Sequence, residues 1–115
     1  MARKIEKLAR EAIKAGKDFK RDNTEVICFT NGDWDLLLHN NLIAKKHGEN
    51  ITVTFAGWQT PTTKSRLNNV IGCCFFQNDW TLYHGTKEVE IDPYGTYNLK
   101  DLKIDFDALL WYEKF

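Results

Sequence analysis

Between Ile51 and Gly72 the hydrophobic period of the chain changes once, and that change constrains the fold more than any other feature. Ile51-Thr52-Val53-Thr54-Phe55 alternates apolar and hydroxyl side chains, the period of a strand with one face on a core. Thr60 then stands as a helix N-cap and Pro61 takes the first helical position. The run reaches about Ile71 before Gly72 stops it, with a thin apolar stripe of Leu67, Val70 and Ile71. A half-buried strand that feeds a capped helix implies a sheet with helices packed on it.

The flanking sequence extends that reading. Residues 2–20 read as a helix with a stripe of Ile5, Leu8, Ala12, Ala15 and Phe19, too amphipathic to stand alone in water. Thr24–Thr30 and Asp35–His39 read as strands joined through Asn31-Gly32, a strong hairpin signal. Asn40-Asn41 turns the chain into Leu42-Ile43-Ala44-Lys45, and 47–50 is a further turn. Cys73–Gln77 and Trp80–His84 form a hairpin about Asn78-Asp79. Glu88–Ile91 is a short strand, Pro93-Tyr94-Gly95 a turn, and Ile104–Tyr112 a strand or a short helix. The order predicts an α+β fold: an antiparallel meander with the N-terminal helix and the 61–71 helix on one face.

A chain of 115 residues with 43% hydrophobic and 13% aromatic content suits one globular domain, 1–115, with its own core. Its apolar runs are far shorter than the roughly 20 residues a membrane helix needs, so no membrane partner is expected. No secretory signal is visible after Met1. Cys28, Cys73 and Cys74 are an odd number, and adjacent cysteines make a strained bridge. Reduced thiols in a cytoplasmic setting are the expectation, with no metal site, because zinc ligation needs further spaced partners.

Formal net charge is zero, but residues 1–22 carry eight Lys/Arg against four Asp/Glu, and residues 88–115 carry seven acids against three bases. The uneven ends face each other, or solubilise the fold, or make a dipolar surface for a charged partner.

Three segments resemble a group of small proteins encoded by bacteriophages and prophages. They are Lys17–Val26, Leu38-His39-Asn40-Asn41-Leu42-Ile43-Ala44, and Gly57-Trp58 through Leu67-Asn68. In that group the middle motif usually reads Leu-His-Gly-Asn with Ile-Ala soon after. The later motif resembles Gly-Trp-x-Thr-x-Thr-Thr-x-x-Arg-Leu-Asn. Asn40 stands where glycine is usual, and asparagine tolerates the same left-handed backbone. The likeness covers about 12–85 and implies a phage context without an activity. Small phage proteins often bind and block a host factor, including host defence machinery such as a CRISPR effector or a restriction system.

The segment 57–69 concentrates recognition chemistry. If Pro61 opens a helix, free N–H groups and the hydroxyls of Thr60, Thr62 and Thr63 line its mouth with Lys64 and Arg66 near, an arrangement suited to phosphate or carboxylate. Trp58 is placed to stack or to wedge against a partner. Capping alone also explains threonine and proline there. There is no phosphate-binding glycine loop, no G-x-S-x-G and no H-E-x-x-H. His39, His47 and His84 have no partners at fixed local spacing, and the pairs Glu88/Glu90 and Asp105/Asp107 suit a wet strand face as well as a magnesium site. No catalytic residue, metal ligand or cofactor is assigned.

At least two of Trp34, Trp58, Trp80 and Trp111 are expected to be partly exposed. The favoured reading is a non-enzymatic phage protein that binds and inhibits a host protein or complex in the host cytoplasm. Two others stand beside it: nucleic-acid binding through the basic helix and segment 57–69, and capture of a small phosphorylated signal molecule at the 60–64 helix mouth. A sheet edge with exposed aromatics also favours a symmetric homodimer.

Overall fold

A computed structural model describes residues 3–106 of the chain. Helix α1 (Lys4–Ala15) is followed by strands β1 (Phe19–Arg21), β2 (Thr24–Cys28), β3 (Trp34–Leu38), β4 (Asn41–His47) and β5 (Asn50–Val53). Helix α2 (Pro61–Arg66) continues as a π-helical turn, Leu67–Ile71. Strands β6 (Phe75–Asn78), β7 (Thr81–His84), β8 (Thr86–Glu90) and β9 (Tyr97–Asn98) complete the described chain. A six-stranded antiparallel sheet runs β1-β2-β3-β4-β5-β9, and a three-stranded one runs β6-β7-β8. The fold is α+β, as the change of period implies.

The first helix is shorter than 2–20. Gly16 adopts φ +69°, and the Lys17 N–H reaches back to the Ala12 carbonyl at 3.0 Å, closing the last turn. Glycine here terminates the helix, and Phe19 belongs to β1 rather than to the helical stripe. The buried face is Glu6, Ala9 and Ile13, flanked by half-buried Ile5, Leu8 and Ala12, so the stripe is rotated from the one the apolar residues outline.

The turns also move by one residue. His39 and Asn40 take positive φ (50° and 64°) between β3 and β4, and Asp79 and Trp80 do the same (51° and 69°) between β6 and β7. These positive-φ pairs match the right-handed twist of the paired strands. They replace Asn40-Asn41 and Asn78-Asp79.

The core joins both layers. Val26, Leu36, Ile43, Val53 and Phe55 come from the sheet side, Ala9 from α1, and Leu67, Val70 and Ile71 from the second helix, all 2% exposed or less. A bulge in β4 pairs Leu36 with Ala44 but Leu37 with Leu42. The extra residue lets consecutive Ile43 and Ala44 both turn inward. Phe55 meets Phe75 edge-on with centroids 4.9 Å apart, tying the small sheet to the large one. Of the tryptophans, Trp58 and Trp80 are exposed and Trp34 is buried. The reading of Ile104–Tyr112 and the second acid of the Asp105/Asp107 pair fall mostly or wholly outside the described residues, as does Trp111.

Candidate functional site

The chain leaves β5 through a tight turn. Ala56 and Gly57 both hold positive φ (52° and 82°), and the Trp58 N–H donates to the Phe55 carbonyl at 2.8 Å. Two apolar neighbours are thereby split: Phe55 goes into the core, and Trp58 is thrown outward, 60% exposed. Gly57 is required for a second reason. A Cβ on it would lie 2.6 Å from the Tyr94 ring, and its N–H donates to the Pro93 carbonyl at 2.9 Å.

Thr60 then caps the helix. Its φ of −106° is extended, and its Oγ1 accepts the Thr63 N–H at 3.2 Å and lies 3.0 Å from the Thr63 hydroxyl. Thr63 is buried by this exchange, whereas Thr62 keeps part of its surface.

These residues wall a cleft of about 340 Å³. Leu38, Ile43 and Phe55 form its apolar floor. Trp58, Thr60, Thr62 and Thr63 line it from the 58–63 segment, and His39 and Asn41 from the β3–β4 connection. Two motifs well separated in sequence, Leu38–Ala44 and Gly57–Asn68, thus supply most of one concavity. The β3–β4 turn and the bulge at Ile43 position the first set, and the 55–60 turns position the second. Of the nine lining residues, His39 is the only ionisable one.

Four of the six residues singled out in the sequence, Trp58, Thr60, Thr62 and Thr63, meet at this cleft; Lys64 and Arg66 do not. Lys64 points toward β6, its Nζ 3.5 Å from the Gln77 Oε1. Arg66 turns into the protein and is 4% exposed. Its Nη1 lies 2.9 Å from the Glu6 carboxylate, its Nε donates to the Thr24 hydroxyl at 2.8 Å, and its Nη2 donates to Asn23 Oδ1 at 3.3 Å. Glu6 also accepts the Ser65 hydroxyl at 2.6 Å and the Arg3 N–H at 2.8 Å. The guanidinium is therefore spent on holding α1, α2 and the β1–β2 turn together, and the grouping of two cations at the helix mouth is corrected. Asn68 is likewise structural: its side-chain amide bonds the N–H and C=O of Phe75 at 2.8 and 3.0 Å, like one rung of a ladder.

The floor residues Leu38, Ile43 and Phe55 and the rim residues His39 and Asn41 carry no signal of function by residue type. Leu38, His39, Asn41 and Ile43 are marked by the Leu-His-Asn-Asn-Leu-Ile-Ala motif, and Phe55 by its place in the alternating 51–55 run. Away from the cleft, burial holds the His84 imidazole below its ordinary pKa, and its Nε2 accepts the Cys74 N–H at 3.0 Å. Burial, then the neighbouring Cys74, raises the Cys73 thiol.

The Kyanoviridae Gp96 protein family matches residues 2–102 of the chain. The chain belongs to this family. It is thus a small phage protein, and the match takes in α1, both sheets and the whole cleft. No curated protein and no solved structure matches the chain. None of the helices among the described residues is long and apolar enough to cross a membrane.

Proposed function

We propose that this phage protein is a non-enzymatic binding protein that engages a host protein through the Trp58 cleft and inhibits it. Antiviral defence machinery is the target class that the phage setting suggests. The observation that carries this reading is the convergence of two distant motifs on one uncharged, apolar-floored cleft beside an exposed indole. Exposed tryptophan beside a desolvated pocket is the make-up of an interface anchor site. A reaction centre would need groups able to move protons or attack a bond, and the lining itself holds one imidazole and no carboxylate or thiol.

The same geometry weakens the rival readings. A phosphorylated signal molecule would meet no cation in the lining, since Arg66 is neutralised by Glu6. A nucleic-acid strand at Trp58 would meet the same lack.

The test is affinity capture from host lysate with the wild-type chain and with Trp58→Ala, followed by an activity assay on the captured protein. One host protein should be retained by the wild type alone and lose activity when the wild type is added. Recovery of nucleic acid with a steep salt dependence, and of no host protein, would discard the proposal.

A further inference from the structure

We propose that the segment received by this cleft is a proline-containing stretch in the polyproline II conformation, an inference that rests on reading the cleft as a protein-binding site. Three observations carry it. First, the rim carries hydrogen-bonding groups that no described residue engages. The Asn41 amide, the Thr62 hydroxyl, the His39 imidazole and the Trp58 indole N–H make no hydrogen bond among the described residues. A polyproline II helix has no internal hydrogen bonds, so its carbonyls are open to such donors. An α-helix would arrive with its carbonyls already satisfied.

Second, another exposed ring, outside the cleft lining, stands beside the turn that presents Trp58. The Tyr94 ring is 81% exposed and lies next to Gly57, the residue before Trp58. Its loop is pinned because the Tyr94 N–H donates to Asp92 Oδ1 at 2.9 Å and the Asp92 N–H donates to the Tyr97 hydroxyl at 2.8 Å. Exposed rings are what proline rings pack against in aromatic-lined peptide grooves.

Third, no Asp, Glu, Lys or Arg lines the cleft. An uncharged, proline-rich backbone matches it, whereas acidic or basic segments would lose solvation without a counter-charge. A ligand already extended also loses little entropy on docking.

Calorimetric titration of the full chain with an oligoproline peptide, and with a glycine–serine peptide of the same length, tests the inference. Saturable binding is expected for oligoproline and none for glycine–serine. Trp58→Ala and Tyr94→Ala should each weaken binding by about tenfold or more, with melting temperatures unchanged because both rings are exposed. Trp80→Ala, which removes an exposed indole at the β6–β7 turn, should bind as the wild type does. Absent oligoproline binding, or equal loss in Trp80→Ala, overturns the inference. If host capture still depends on Trp58 while oligoproline fails, this inference falls and the host-binding reading stands. If both fail, both fall.

Discussion

Glu6 and Arg66 lie 2.9 Å apart where α1, α2 and the β1–β2 turn meet, their side chains 0% and 4% exposed. A buried charge is tolerated only when paired and hydrogen-bonded, and here the pair also bonds Ser65, Thr24, Asn23 and the Arg3 backbone. Removing one partner leaves the other stranded. Arg66→Met should therefore lower the unfolding free energy by about 3–5 kcal/mol in urea titration. The double variant Glu6→Met/Arg66→Met should lose less than the two single losses combined, and equal additivity would deny the coupling.

Stability should fall on mild acidification because of His84. Burial depresses its folded pKa below the ordinary 6.5, so the unfolded chain takes up the proton first. The contribution is complete above about pH 6.5 and is lost as the pH drops through the folded value; protonation also removes the acceptor that Nε2 offers to the Cys74 N–H. Denaturant midpoints measured across this range should slope downward toward acid. His84→Gln should flatten that part of the profile.

The three cysteines should react in a fixed order with a thiol reagent at neutral pH. Cys74 is exposed and goes first. Cys28 follows, slowed by a thiol pKa raised by partial burial and then by the Asp18 carboxylate. Cys73, buried and with its thiolate strongly disfavoured, should label only when the chain unfolds. Peptide mass spectrometry over a labelling time course checks the order.

Gly57→Ala combines two penalties. The φ of +82° strains any side chain, and the added carbon meets the Tyr94 ring at 2.6 Å. A loss of about 1–2 kcal/mol is expected from the backbone alone. The ring must also swing away, which nuclear magnetic resonance of the Tyr94 side chain would register. An unmoved ring would contradict the packing described above.

Much of the architecture can be read from local pattern. Ile51–Phe55 alternates because one sheet face is wet, and Thr60-Pro61 opens a helix because its first N–H groups need an acceptor and its first residue needs none. The site is only partly legible by the same means. Trp58 and the threonines stand out by type, but the floor residue Ile43 is turned inward by a β4 bulge, and a bulge depends on pairing across strands rather than on neighbours in sequence. Glu6 looks like a solvent residue on an amphipathic helix, and Arg66 like a free cation, because each is explained only by the other. The turns at His39-Asn40 and Asp79-Trp80 are displaced for a related reason. Strand register fixes which residues take positive φ, even where a bulky side chain is a poor choice locally.

The join between the two helices also sets an order of events during synthesis. Its charged groups are 60 positions apart, so α1 leaves the ribosome long before its counter-ion exists outside the tunnel. Until then its inner stripe, carboxylate included, faces water, and so short an amphipathic helix has little to hold it together. The pair works as a latch that shuts late: the front of the newborn chain waits, unfastened, for the middle to arrive.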